Sequence, residues 1–509
     1  MSAALRLAAG IARAAMIRGR GVAVVDGARR FTWAEHADRV ARLAAALRAQ
    51  GLQPGDRLAF LADSSHQVIE LYHAALWVGA ILAPVNSRFA PREITEVLED
   101  ATPRLLLADA AHAERARAAC PAGTALLPMG DALEAMIAGH APVADAGRGG
   151  DDPACLFYTG GTTGRAKGVV LTHANLATNA LNTSSILGLG PDTVHLHCGP
   201  LFHLGAGARV YSTTLFAGSH VVLPRFDAEA VLRTIAAEGV TLAIVVPAMV
   251  TALLEAPGFA QHDLSSLRRL SYGAAPMPAA LLEALMARLP GVGLVQSYGQ
   301  TELSPVATML RPEDHVAGSP RLRSVGQVVP NVELRIAGAD DTPLPPGVVG
   351  EVQVRGPTVM PGYWNRPAET AAALRGGWMH TGDAGLLDAE GYLFLVDRLK
   401  DMIVSGGENV YSAEVENALH DHPSVLECAV FGVPHPRWGE AVHAVVVTRP
   451  GAAVEAAELL AHCRGRIAGY KCPKSFEIRA EPLPRSGVGK VQKAALRAPW
   501  WDGAGRGVN

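Results

Sequence analysis

The sequence predicts an α/β protein on largely parallel sheets, joined to a small β-rich, barrel-like subdomain and a separate C-terminal α+β domain. Three observations predict it. Apolar β-type runs alternate with helical stretches along most of the chain. From about residue 322 to 398 the texture changes to short strands between Gly- and Pro-rich turns. Finally, 509 residues exceed the roughly 250–300 that one core usually fills.

Residues 3–20 are rich in alanine, carry Arg6, Arg13, Arg18 and Arg20, and hold no acid, a composition shared with organellar presequences. They run directly into a strand-like stretch at 22–25, so they are read as an ordinary first helix over 3–16, with Leu5, Ile11 and Met16 facing the core. A strand at 58–61, a helix around 68–78, and strands at 105–107, 221–223 and 242–246 continue the alternation. Short strands at 332–336, 351–354 and 392–396 make the β-rich subdomain of 322–398. A boundary at 397–401 divides domain 1–398 from domain 399–509. Beyond it, Ser412 is the expected N-cap of a helix with Val415 and Leu419 at i, i+4 spacing, stopped before Pro423. Strands follow at 425–433 and 442–447, and the tail from Trp500 is expected to fray.

The bulk numbers exclude several classes. Hydrophobic residues make up 49% and charged residues 18%, a globular and not a disordered balance. A formal net charge of −3 gives no field that favours nucleic acid or an anionic membrane. No apolar run reaches the ~18–20 residues needed to span a bilayer. The six cysteines form no CxxC pair and no zinc spacing, so they are read as reduced thiols of a cytoplasmic protein. The 18 histidines are scattered without an HExxH motif, and no structural metal is expected.

Of 45 basic residues only six are lysine: Lys167, Lys400, Lys471, Lys474, Lys490 and Lys493. Lysine offers a compact, flexible point charge where arginine offers a rigid fork, so these positions are candidates for work that arginine does poorly. Lys167 stands second-last in the run YTGGTTGRAKG at 158–168, which follows a strand at 154–157. Gly160, Gly161 and Gly164 let backbone N–H groups turn on an anion. Thr159, Thr162 and Thr163 add hydroxyls, and Lys167 adds charge. This is phosphate-binding chemistry. It is not a Walker A loop, because Gly168 and not Ser or Thr follows the lysine.

The loop resembles the signature of the adenylate-forming superfamily: acyl-CoA synthetases, adenylation domains and luciferases. Two positions depart from the usual pattern, Gly160 in place of Ser and Ala166 in place of Pro. Further resemblances follow in family order. SYGAAPMP at 271–278 resembles the segment whose Gly273, Ala274, Ala275 and Pro276 flank adenine. SYGQTE at 297–302 resembles the segment in which Ser297, Tyr298, Gly299, Gln300 and Thr301 line the nucleotide and Glu302 binds magnesium. GEVQVRGPTVMPGYW at 350–364 resembles a turn region of the family. HTGDAG at 380–385 and the run from Asp397 supply Asp383 and Arg398, which the resemblance assigns to the ribose. PRSGVGK at 484–490 ends in Lys490, the lysine that bridges carboxylate and α-phosphate.

The resemblance covers nearly the whole chain. It implies a large N-terminal domain of two mixed or parallel αβ sheets plus the barrel-like subdomain, and a small mobile C-terminal domain that swings about Lys400. It implies ATP, Mg²⁺ and coenzyme A as reactants, an acyl-adenylate as intermediate, and Lys490, Glu302, Thr163 and His203 as the catalytic set. Gly406, Gly407, Trp438 and Lys474 are the implied coenzyme A contacts. Within PLFHLGAG at 200–207, His203 stands where amino-acid-activating relatives carry Asp, so a cationic head group finds no counter-charge. His203, Leu204, Gly205, Gly207, Gly299 and Ser304 are the implied acyl contacts, with Gly205, Ala206 and Gly207 leaving space for a chain or ring. The pattern stands nearest to bacterial fatty-acyl-CoA synthetases. Aryl-CoA ligases share nearly all of it, and loading of a carrier protein is the alternative outcome. The expected partners are small molecules, with the oligomeric state open, a homodimer included.

Overall fold

The computed structural model describes residues 5–159, 166–275, 277–398, 401–405, 408–485 and 491–501. By internal contacts the chain forms two compact units, one of Met1–Leu334 with Val354–Met379 and one of Arg335–Gln353 with His380–Asn509.

The larger unit holds a nine-stranded and a seven-stranded sheet. Val22–Asp26, Ser219–Val222, Val194–His197, Leu242–Val245, Arg269–Gly273 and Gly293–Tyr298 pair in parallel, with antiparallel strands at both edges. In the other sheet, Arg57–Leu61, Ile81–Pro84, Leu105–Ala108, Ala125–Pro128 and Pro153–Thr159 are parallel neighbours, and Lys167–Thr172 and Gly362–Tyr363 add an antiparallel edge. Helix His66–Val78 is buried at every residue but Trp77 and touches strands of both sheets. A helix buried on every side must be enclosed, and here it is the filling between two sheets, with its Glu70 and His73 bonded to Arg39 and to His36 and Thr214. Its ends are set locally: the Ser65 hydroxyl accepts the Val68 N–H, and Gly79 ends it at φ +80°.

A chain of histidines crosses this filling. His36 Nε2 lies 2.8 Å from His73 Nδ1, and His73 Nε2 lies 2.9 Å from Thr214 Oγ1. Thr214 Oγ1 lies 3.1 Å from His220 Nε2, and His220 Nδ1 lies 2.9 Å from His197 Nε2. All four imidazoles are buried, so residues scattered from position 36 to 220 meet in one hydrogen-bonded file.

The smaller unit holds a four-stranded sheet, ordered Glu333–Ala337, Gly350–Arg355, Met379–Leu387, Leu393–Arg398, and a five-stranded one around the long antiparallel hairpin of Val425–His435 with Gly439–Thr448. Helices Ser412–His420, Ala456–Arg464 and Lys493–Trp501 accompany the second sheet. All six cysteines are free thiols. Among the described residues no helix is long and apolar enough to cross a membrane.

Two local expectations are corrected. The first helix is Ala8–Arg18, and its buried stripe is Leu7, Ala8, Ile11 and Ala14; Leu5 and Met16 are 44% and 78% exposed. The stripe turns on Leu7 and Ile11, one helical turn apart, with the small Ala8 and Ala14 beside them letting the backbone approach. Ser412 is not an N-cap but the first helical residue after Tyr411. Its N–H donates to the Asp397 carboxylate, a cap supplied from another strand, and its hydroxyl accepts from Lys493 Nζ at 2.5 Å. Helix Lys493–Trp501 takes in Trp500 and is anchored by Trp501 Nε1 on Gly432 O at 3.0 Å, while the rest of the tail expected to fray, 502–509, lies outside the described residues.

Candidate active site

In the larger unit, the candidate residues gather where parallel strands end. Gly273 and Ser297 are register partners at the C-terminal ends of neighbouring strands. That edge is the usual ligand position in open α/β sheets. A Cβ on Gly273 would collide with the Ser297 carbonyl, so glycine alone lets the two ends close up. Ala274 takes φ +65°, and the chain turns away from the sheet there. After Tyr298, Gly299 at φ +156° packs its backbone on Pro305, and Thr301–Leu303 forms a short 3₁₀ turn. Gln300 and Thr301 are half-buried, and Tyr298 is buried. Ser304 is fully buried, at φ +72°, and its hydroxyl donates to the Thr358 carbonyl at 2.7 Å.

Glu302 sits in that 3₁₀ turn, buried at 8% exposure. Its Oε1 accepts the Tyr363 hydroxyl at 2.9 Å. Burial, and then the Glu302 carboxylate, push the Tyr363 phenol well above its ordinary range, so it remains a donor. Lys167 Nζ lies 5.1 Å from the centre of the Tyr363 ring. The strands Pro153–Thr159 and Lys167–Thr172 form an antiparallel hairpin whose last partners are Thr159 and Lys167. The loop it closes, with Gly160, Gly161, Thr162, Thr163 and Gly164, lies outside the described residues, as does Pro276.

His203 caps helix Leu204–Leu215 and stacks edge-on with Phe202 at 4.6 Å. Leu204 is buried. Gly205 is exposed, with nothing near where a Cβ would stand. At Gly207 a Cβ would collide with the Tyr72 hydroxyl and stand 3.0 Å from Phe157. Gly207 is therefore a packing glycine, which corrects its reading as free acyl space.

In the smaller unit, Asp383 and Arg398 are register partners on adjacent antiparallel strands, so the two residues assigned to the ribose share one rung. Asp383 is buried, and its N–H donates to Thr381 Oγ1 at 3.1 Å. Two residues that sequence reasoning missed brace this turn. Glu351 Oε1 accepts the Gly382 N–H at 3.1 Å, while its Oε2 lies 2.7 Å from His380 Nδ1. Both stand inside the quoted motifs, but nothing in their spacing separates a brace from a ligand. Trp438 stacks on His435 at 4.1 Å, and Lys474 Nζ lies 5.7 Å from its ring. Trp438 also packs on the apolar cluster around Phe431 and Leu483. Lys471 and Lys493 are engaged in ion pairs, with Glu414 and Glu416 respectively, each at 2.7 Å. Lys400, Gly406, Gly407 and Lys490 lie outside the described residues.

The chain resembles known proteins along nearly its whole length. The family model of the AMP-binding enzyme matches residues 11–364, and that of the AMP-binding enzyme C-terminal domain matches 414–490. A feruloyl-CoA synthase of Amycolatopsis is 43% identical over 486 residues, 95% of this chain and 97% of that protein. A long-chain-fatty-acid–CoA ligase of Mycobacterium tuberculosis is 36% identical, covering 92% of this chain and 93% of its own. Among solved structures, ATP-bound MatB of Rhodopseudomonas palustris superposes with a TM-score of 0.89 at 33% identity, covering 97% of this chain and 99% of its own.

Proposed function

The chain belongs to the AMP-binding enzyme family and is an AMP-forming acid–thiol ligase, and from that premise we propose that it activates an aromatic carboxylic acid and passes the acyl group to coenzyme A. The single observation that carries the reading is the meeting of Glu302, Tyr363 and Lys167 beside the strand ends at Gly273 and Ser297. A buried carboxylate and a cation held against one tyrosine support this reading, because a nucleoside triphosphate needs both a cation-binding carboxylate and positive charge. The aromatic preference rests on the feruloyl-CoA synthase likeness, which exceeds that to the fatty-acyl ligase. A fatty acid is the second reading, favoured by the likeness to the long-chain-fatty-acid–CoA ligase.

In the first half-reaction a carboxylate oxygen attacks the α-phosphorus, and pyrophosphate leaves. Both reactants are anions, so the step needs positive charge aimed at the oxygens of the five-coordinate phosphorus that develops. We assign that work to Lys490, with Lys167 and the Thr163 loop on the leaving phosphates. Glu302 suits a hard divalent cation: it is a buried carboxylate with Oε1 engaged by Tyr363 and Oε2 left to serve as ligand. When bound, Mg²⁺ supplies charge neutralisation on the pyrophosphate oxygens. Asp383 and Arg398 hold the ribose. In the second half-reaction the thiol sulfur attacks the acyl carbon and AMP leaves, with Trp438, Lys474 and the Gly406–Gly407 loop guiding the pantetheine arm. Lys400 is the hinge between domains 1–398 and 399–509 that alternates the two steps. The reaction uses soluble small molecules, consistent with a cytoplasmic site of action.

An acid panel tests this. Hydroxycinnamic, benzoic and saturated C6–C16 acids are each supplied with ATP, Mg²⁺ and coenzyme A, and AMP and thioester are measured. Aromatic acids are expected to exceed the fatty acids in kcat/KM by about tenfold or more. A reversed order defeats the aromatic reading. AMP release that requires a carrier protein in place of coenzyme A defeats the acceptor.

A further inference from the structure

The segment 350–364 was singled out in the sequence, yet its second half has no chemical task in the scheme above. In the structure that half straps together the two parts of the triphosphate site. Asn175 Nδ2 donates to the carbonyls of Pro357 and Val359, at 2.7 and 3.0 Å. The Met360 N–H donates to the Glu302 carbonyl at 2.9 Å, and the Trp364 N–H to the Gly168 carbonyl at 2.7 Å. Between these anchors, Tyr363 pairs with Val169 on the strand that leaves the glycine loop. Its own N–H donates to Thr370 Oγ1 at 2.9 Å, so backbone bonds fix the residue on both sides. From that seat the hydroxyl reaches Glu302 Oε1 at 2.9 Å, and the ring face lies 5.1 Å from Lys167 Nζ. One side chain thus touches both the carboxylate and the ammonium of the site. The two belong to different strand systems, and Tyr363 is the side chain that spans them.

We propose that Tyr363 is a positioning residue for adenylation: its hydroxyl ties down Oε1 of Glu302 so that Oε2 is presented to the divalent cation, and its ring seats the Lys167 ammonium for the phosphates. A carboxylate free to rotate loses part of its affinity in ordering, and the hydroxyl removes that cost in advance. The ring does the same for a long, flexible lysine. The inference rests on the reading of Glu302 as the cation's carboxylate.

The experiment uses the full chain as parent, Tyr363→Phe, Tyr363→Leu and Glu302→Gln. Mn²⁺ binding is followed by electron paramagnetic resonance with a non-hydrolysable ATP analogue, alongside the Mg²⁺ dependence of pyrophosphate release and thermal melting. Tyr363→Phe keeps the ring and loses the hydroxyl. It is expected to raise the half-saturating Mn²⁺ concentration about tenfold, with melting and the KM for the acid close to the parent values. Tyr363→Leu is expected to weaken analogue binding by a further factor of about three, because the seat for Lys167 goes as well. Parental Mn²⁺ binding in Tyr363→Phe overturns the proposal. So does a uniform fall in every parameter with lowered melting, which marks a structural residue only. Parental Mn²⁺ binding in Glu302→Gln shows instead that the cation reading has failed, and the two failures are thereby told apart.

Discussion

The histidine file of the larger unit and the Lys493 network of the smaller one both hide polar groups from water, and they do so with opposite chemistry. His36, His73, His220 and His197 stay neutral and hand hydrogen bonds along a line through Thr214. Lys493 is charged. Its ammonium bonds Glu416 at 2.7 Å and Ser412 Oγ at 2.5 Å, and Glu416 also accepts the Val430 N–H at 2.8 Å. Burial pulls the Lys493 value down, but Glu416 and Asp397 more than offset that and leave it raised. A neutral file can lose one member and remain neutral. An ion pair that loses one member leaves a bare charge in a dry place, so the second network is the more brittle.

The sharpest way to break this contrast is Glu416→Leu. It removes the carboxylate that bonds the Lys493 ammonium, leaving only the more distant Asp397 and Asp401, and is expected to cost about 3–5 kcal/mol in denaturant unfolding. The double variant Lys493→Met with Glu416→Leu is expected to recover most of that, because the two pair members leave together and neither is left unpaired. A cost below about 1 kcal/mol for the single variant would put the pair with exposed ion pairs of little consequence and erase the difference. In the histidine file the matching cut is Thr214→Val, which preserves shape and removes the hydroxyl between His73 Nε2 and His220 Nε2. The expected loss is smaller, about 1–3 kcal/mol, since two neutral nitrogens lose a partner and no charge is exposed. A loss equal to that of Glu416→Leu would mean that the file carries charge after all.

The two networks were not equally legible in the sequence. Lys493 was already conspicuous as one of six lysines, although its ion-pairing role needed the fold. The file could not be read, because its members are spread over distant segments and each alone is an ordinary core histidine. The same rule divides the site. The alternation of strands and helices fixes the two parallel layers, and the glycine loop and SYGQTE are contiguous strings whose chemistry is local. Tyr363, Glu351 and His380 act through contacts across strands, which spacing along the chain does not encode. Gly207 erred in the other direction. Small size suggested a cavity, and only packing reveals that Tyr72 and Phe157 occupy it.

Acidity separates the networks most finely, through a slope and not a total. Burial holds His36 at about 3, with Arg39 and His66 adding to it, and burial alone holds His197 at about 3. His73 and His220 lie well below their ordinary value, again through burial first and neighbouring histidines second. In the unfolded chain each imidazole takes up a proton below pH ~6.5, while the folded chain refuses it. Stability is therefore whole above pH ~6.5 and drains away as pH falls towards the folded values, by up to about 1.4 kcal/mol per pH unit for each group. For Lys493, whose folded value is raised, the sign is reversed. Its contribution is complete below pH ~10.5 and is lost only as pH rises through the folded value. His73→Gln removes one of the refused protons. Unfolding free energies measured from pH 4 to 6 are thus expected to climb less steeply than the parent's, by about 1.4 kcal/mol per pH unit at most, whatever the variant's stability at neutral pH. An unchanged slope would mean that His73 is already protonated in the folded protein, and with a cation at its second link the file could no longer stand as the neutral counterpart of the Lys493 pair.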